Sequence, residues 1–167
     1  MPRPSKQDFY FSLAKDNASR ATCLRRKFGA VAIRDGVSVS MGYCGAPRGE
    51  QNCSDLGYCL REKLDVPKGQ RYELCRSVHA EMNTIINAAV NGQNISGADL
   101  YIYVEDGRTG KMSDAYVCEM CKRITINAKI KNVYAKTTKG IIKYKVKDWI
   151  KEEKSTRKKL IKSIIRE

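Results

Sequence analysis

Ser77-Val78-His79-Ala80-Glu81-Met82-Asn83, answered further on by Cys118-Glu119-Met120-Cys121, is the stretch on which the reading of this chain turns. One histidine and two cysteines are ligands of the kind Zn²⁺ takes. Three protein ligands leave a fourth position for water, as catalytic rather than structural zinc requires. Glu81, two residues from His79, is placed to carry a proton for that water. Ser77 reads as the cap of a helix whose first turn holds His79 and Glu81. Residues two apart do not share a face of a regular helix, so both reach one ion only from its entrance. The positive end of the helix dipole there favours an ionised carboxylate and thiolates. Cys118 and Cys121, three apart, open a second helix and share one face of it.

Outward from this pair of helix starts, the pattern is α/β. Met82, Ile85, Ile86, Ala89 and Val90 give the central helix an apolar stripe, and Asn91-Gly92 ends it. Leu100–Val104 and Ile130–Tyr134 read as strands on either side of the C-x-x-C helix. Strand–helix–strand implies a parallel pair joined by a crossover. Upstream, Phe9, Leu13, Ala14 and Ala18 predict a helix over 8–27, and Phe28–Ile33 a buried strand. Asp35-Gly36 is a hairpin turn, because both residues tolerate positive φ. Val37, Val39, Met41 and Tyr43 then alternate with small residues, predicting those four as the buried side of a strand. Ile141–Val146 predicts a fifth strand. Asp148 caps a last helix striped with Leu160, Ile161, Ile164 and Ile165. The expectation is a three-layer α/β/α domain with a mixed sheet of about five strands. Its boundaries are set at 1–146, with 147–167 a basic amphipathic helix of the same domain.

Residues 45–76 resist this scheme. Gly45-Ala-Pro-Arg-Gly49 is a loop, and Pro67-Lys68-Gly69 breaks the segment downstream of it. A structureless loop of roughly 30 residues is uncommon unless it is functional or pinned. Cys53, Cys59 and Cys75 fall in it, which allows a second, structural zinc with Cys23 or Cys44 as fourth ligand. Small buried thiols that need no metal are the alternative.

The formal charge of +14 over 167 residues favours phosphorylated or polyanionic partners. Residues 139–167 hold 11 Lys/Arg against 4 Asp/Glu, half of that excess. No apolar run approaches the roughly 18 residues of a membrane span. With no apolar stretch behind Met1-Pro-Arg-Pro-Ser-Lys6, the expected address is cytoplasmic, where seven cysteines are thiols and metal ligands rather than disulfides.

Four segments together resemble the deoxycytidylate deaminase family. Gly29-Ala30-Val31 with Gly42-Tyr43-Cys44-Gly45-Ala46-Pro47-Arg48-Gly49 resembles its G-A-V and G-Y-N-G-x-P-x-G segments. His79-Ala-Glu-Met-Asn83 resembles H-A-E-x-N, Cys118–Cys121 its P-C-x-x-C, and Ile130–Tyr134 the strand after that site. The resemblance implies a cytidine deaminase-like fold, zinc on His79, Cys118 and Cys121, and conversion of dCMP to dUMP and ammonia. In that chemistry hydroxide attacks C4 of cytosine, while Glu81 passes a proton to ring N3 and then to the leaving amine. It also implies substrate contacts from Tyr43, Cys44, Arg48 and Asn83, and a homo-oligomer. Two positions depart from the pattern. Val117 stands for the proline before the first site cysteine, and Cys44 for the asparagine of G-Y-N. A thiol is a poor hydrogen-bonding substitute for an amide.

Two other classes compete with the small-nucleotide reading. A deaminase of bases within RNA or single-stranded DNA suits the basic tail, since phosphate contacts dominate such binding. It needs exposed aromatics for flanking bases, and the tail offers only Tyr144 and Trp149. A non-enzymatic zinc scaffold would be marked by loss of Glu81, which is present.

Overall fold

A computed structural model describes residues 2–67 and 69–164, with side chains of the last helix as far as Ser155. Helix α1 (Lys6–Ser19) begins on a serine cap, Ser5, whose hydroxyl accepts from the Asp8 amide. It leads into the hairpin β1 (Arg26–Arg34) and β2 (Val37–Tyr43), turned by Asp35 and Gly36 at φ 53° and 81°. Strand β3 (Asp99–Asp106) pairs antiparallel to β1, and β4 (Asn132–Thr137) pairs parallel to β3. Strand β5 (Gly140–Lys145) closes the far edge, so the mixed sheet runs β2-β1-β3-β4-β5. The expected five-stranded layout is the one observed.

Alternation along the central strands sorts two cores. Ala30, Ala32, Leu100, Ile102, Val104, Val133 and Ala135 point to one face. Val31, Ile33, Tyr101 and Tyr103 point to the other, where Tyr10, Phe11, Ala14 and Ala18 of α1 cover them. The first face carries helices. They are α4 (Ala80–Val90) after the one-turn helices α2 (Cys53–Leu56) and α3 (Leu60–Lys63), then α5 (Glu119–Asn127) and α6 (Val146–Ile164). Val146 and Trp149 seat α6 in the same core. Three layers result. Leu160, Ile161, Ile164 and Ile165 have side chains outside the described residues.

Three expectations are corrected. Helix α1 stops at Ser19 rather than 27, because Arg26 and Lys27 already pair with Asp106 and Glu105 in the sheet. On β2 the buried side is not the one that Val37 and Met41 mark, since both are exposed. Ala32 pairs Ser40 while Ile33 pairs Ser38, so Val39 forms a bulge that shifts the phase. Ser40 and Gly42 thereby face α4, the Ser40 hydroxyl donating to Thr84 O at 2.7 Å. On α4 the buried residues are Ala80, Glu81, Thr84 and Ala88, while Ile86 and Val90 are exposed. Small residues let α4 lie close on the sheet. A Cβ on Gly42 would stand 2.5 Å from the Thr84 amide nitrogen and 2.9 Å from Ala80 O.

Residues 46–77 form an excursion pinned at its base. Gly45 and Val78 exchange both backbone hydrogen bonds, at 3.3 and 2.8 Å. Inside it, α2, α3 and a 3₁₀ turn at Tyr72–Leu74 supply local structure. The Asn52 side chain and Asp55 form a capping box at α2. Asn52 also accepts from the Thr22 hydroxyl at 2.9 Å, tying the excursion to the chain entering β1.

Candidate active site

His79 is itself the cap residue of α4, with extended φ −70° and ψ 153°, and Cys118 caps α5 in the same way at −75° and 164°. An extended cap swings its side chain off the helical spiral. His79 can therefore face the same point as Glu81 in the first turn. Cys121, one turn into α5, is fully buried behind Cys118. Two helix N-termini thus converge on one spot, and both dipoles favour negative charge there.

The imidazole Nδ1 of His79 lies 3.4 Å from Cys118 Sγ and 3.3 Å from Cys121 Sγ. Zinc bonds of about 2.0 Å to nitrogen and 2.3 Å to sulfur, at a tetrahedral angle, separate N and S by about 3.5 Å. The residues fit the metal. Among the described residues this is the one group of three such side chains whose ligand atoms all lie within 4.8 Å. Cys23, Cys53, Cys59 and Cys75 are not gathered into a second set of that kind. Cys23 leans on Cys44, and Cys75 on the His79 ring. All seven cysteines are free.

Charge in the cluster is divided unevenly. The Cys121 thiol and the His79 ring draw Cys118 down to about 4, against the cost of burial. Cys121 is pushed the other way by its hydrogen bond to Cys118 and by burial. Burial disfavours charge on His79, but Cys118, Cys75 and Glu81 outweigh it and raise the ring to about 10. Protons on Cys121 and His79 are those a metal must displace, so acid competes with zinc. Glu81 is 3% exposed, and burial raises its carboxyl against the opposing pull of His79. A carboxyl so raised holds and releases a proton closer to neutrality than an ordinary glutamate.

His79, Glu81 and Cys118 line a cavity of about 450 Å³. Phe28, Cys44 and Tyr116 line it, and the Tyr116 ring is 55% exposed at the mouth. Three arginines, Arg25, Arg26 and Arg61, also line it. Of the four candidate substrate contacts, Cys44 lines the cavity. Its sulfur accepts from the Phe28 amide at 3.3 Å and also lies 3.3 Å from Arg26 O, packed against strand β1. Tyr43, Arg48 and Asn83 bond into the scaffold. The Asn83 amide donates to Tyr43 O at 2.7 Å, and Arg48 to the Asn87 side chain at 2.8 Å. The sequence reading passed over Arg26, Phe28 and Arg61. Arg61 stands in the charged run Leu60-Arg-Glu-Lys63, inside the stretch 45–76 that the sequence leaves irregular. The segment Glu105–Tyr116, polar and carrying Gly107 and Gly110, reads as a loop over the site, and Tyr116 at its end lines the cavity.

The model of the cytidine and deoxycytidylate deaminase zinc-binding region matches residues 4–137. The chain belongs to that family. Deoxycytidylate deaminase of Schizosaccharomyces pombe is 29% identical over 77% of this chain and 34% of its own length. ComE operon protein 2 of Bacillus subtilis is 29% identical over 80% and 60%. This family member therefore spans about a third of the one relative and three-fifths of the other. Deoxycytidylate deaminase of Mycobacterium phage D29 is 34% identical over 61% of this chain and 80% of its own. Among solved structures, dCMP deaminase of the cyanophage S-TIM5 superposes with a TM-score of 0.55 at 22% identity, covering 79% of this chain and 82% of its own. Cytidine deaminase of Burkholderia pseudomallei gives 0.56 at 15%, over 84% and 93%. These likenesses establish the cytidine deaminase-like fold.

Proposed function

We propose that this chain hydrolytically deaminates a cytosine nucleotide, taking dCMP to dUMP and ammonia. The observation that carries the proposal is Glu81, a buried carboxyl at the zinc ligand set and in the wall of a cavity of nucleotide size. When bound by His79, Cys118 and Cys121, zinc supplies a Lewis acid that makes water acidic near neutral pH. Glu81 takes that water's proton and delivers it to ring N3, which leaves C4 electron-poor. Oxygen adds at C4, Glu81 takes the remaining proton from the new C4 hydroxyl and passes it to the exocyclic amine, and the C4–N bond breaks to leave a carbonyl at C4. Water and cytosine become uracil and ammonia, with Glu81 restored. Phe28 and Tyr116 offer aromatic faces to the ring at the wall and mouth of the cavity. The relatives that carry the name deoxycytidylate deaminase support dCMP over the nucleoside.

A single zinc per chain is the stoichiometry the ligand geometry supports. Free thiols throughout fit a reducing compartment such as the cytoplasm. No helix among the described residues is long and apolar enough to cross a membrane. Self-association is supported by the outer side of α4 and the edge strand beside it, where Met41, Ile86 and Val90 are exposed.

Glu81→Gln tests the proposal. The variant is expected to keep zinc at one per chain and to lose about 10³-fold or more in dCMP turnover. Undiminished turnover in the variant, or no turnover by zinc-replete wild-type protein, would overturn it.

A further inference from the structure

Arg61 is an arginine in an unusual position. Its side chain is 6% exposed, yet among the described residues it makes no ion pair. Three carboxylates of the excursion pair with other arginines. Glu62 is bound by Arg25 at 3.3 Å and Arg108 at 2.9 Å, and Glu50 by Arg76. Glu73, whose carboxyl also feels the Arg61 charge, is bonded to Arg71.

The Arg61 guanidinium is instead held by neutral groups. Nη2 donates to Pro67 O at 3.2 Å and to Gln70 O, and the plane lies over the Tyr72 ring, 4.8 Å from its centroid. Nε is buried with no hydrogen-bond partner. Carbonyls and a π-face fix the direction of the fork without neutralising it, and an uncompensated buried cation is costly. Arg61 lines the same cavity as His79 and Glu81. Arg26, a second guanidinium in that wall, also bonds only neutral groups, Ser113 Oγ at 2.9 Å and Asp114 O.

We infer that Arg61 binds the 5′-phosphate of the substrate and so sets the preference for a nucleotide over a nucleoside. The distances allow it. Tyr72 stacks under Arg61 and meets the His79 ring edge-on at 5.5 Å, so one aromatic ring separates the cation from the zinc histidine. A mononucleotide makes the same span from its base to its 5′-phosphate. An arginine that carries no carboxylate partner is the side chain that pairs with phosphate oxygens. The inference deepens the reading of a cytosine mononucleotide substrate and rests on it. It also gives the excursion between Gly45 and Val78 a purpose, since this segment supplies both the arginine and the carbonyls that aim it.

The test compares wild type, Arg61→Gln and Arg61→Lys, each zinc-loaded, on dCMP and deoxycytidine, with calorimetric titration of dUMP, deoxyuridine and inorganic phosphate. In Arg61→Gln the preference for dCMP over deoxycytidine should fall at least ~30-fold, with KM for dCMP carrying the change, as loss of a charge-assisted contact requires. The preference of dUMP over deoxyuridine should fall with it. Arg61→Lys, which keeps a point charge without the fork, should lie between. Equal losses on dCMP and deoxycytidine would make Arg61 a structural staple and overturn the inference, as would an unchanged preference. If Arg61→Gln does not fold, as judged by thermal melting, Arg61→Lys decides by the same ratio. Wild-type protein inactive on dCMP would sink the deaminase reading separately. Phosphate binding would then decide for Arg61, its loss in Arg61→Lys supporting the inference and its retention overturning it.

Discussion

Gly42 and Thr84 are in contact through backbone alone, so closely that a Cβ on Gly42 would stand 2.5 Å from the Thr84 nitrogen. This contact sets the depth of α4, and the cap of α4 is His79. The three atoms that a new methyl would meet, on Ala80, Asn83 and Thr84, all belong to the helix backbone, which cannot yield like a side-chain tip. Gly42→Ala should therefore destabilise by about 3 kcal/mol, the upper end of overpacking costs, and lower zinc occupancy. Chemical denaturation and metal analysis of the purified variant check both effects. Unchanged occupancy would separate helix depth from the metal site.

Asn83 links the same two elements by a side-chain bond to Tyr43 O at 2.7 Å. Asn83→Ala leaves that carbonyl without its amide partner and should cost about 1–2 kcal/mol. Activity per folded, zinc-loaded molecule should change little. A loss of turnover much larger than the loss of stability would instead place Asn83 against the substrate.

Cys23 should be the most readily alkylated thiol outside the zinc site at neutral pH. Its hydrogen bond to Cys44 lowers it to about 6, helped by the Arg26 and Arg25 backbone and the Arg25 charge, and opposed by burial. Free thiols titrate near about 8.5. Alkylation of Cys23 should therefore level off above about pH 7, while an ordinary thiol keeps gaining rate up to pH 9. A group held lower in the folded protein stabilises it fully above the unfolded value. That contribution disappears as pH falls through about 6. Mass spectrometry of peptides alkylated at a series of pH values reads the profile, and Cys23→Ser removes it.

The exposed apolar side of α4 predicts association. Val90 is 68% exposed and Ile86 45%. Ile86→Glu with Val90→Asp should lower the sedimenting mass while moving the melting temperature by only a few degrees, since both residues face away from the core. A mass unchanged from wild type would show that this surface is not the interface.

How far the sequence was legible depends on how local the cause was. His79, Cys118 and Cys121 could be brought together because H-x-E and C-x-x-C are local spacings, although the cap of α4 is His79 and not the expected Ser77. Strands β1 and β3 could be found because Ala30–Ile33 and Leu100–Val104 are apolar on both faces, as a covered sheet demands. The buried side of α4 was not legible. Met82, Ile86 and Val90 carry the apolar bulk, but contact with β2 requires Ala80, Thr84 and Ala88, and only Gly42 across the gap reveals it. The phase of β2 was hidden for the same reason, since the Val39 bulge exists only in pairing with β1. Arg61 gives no local sign of burial. Its carbonyl partners and its aromatic platform are placed by the fold of the excursion, between six and eleven residues downstream.

Whether His79, Glu81, Cys118 and Cys121 deaminate a cytosine mononucleotide is read from one incubation. Zinc-loaded protein is given cytidine, deoxycytidine, CMP, dCMP and dCTP together, and each is followed by mass for the change from cytosine to uracil. The account predicts conversion of dCMP ahead of every other member of the mixture. No conversion of any of them, with zinc measured at one per chain, would contradict it.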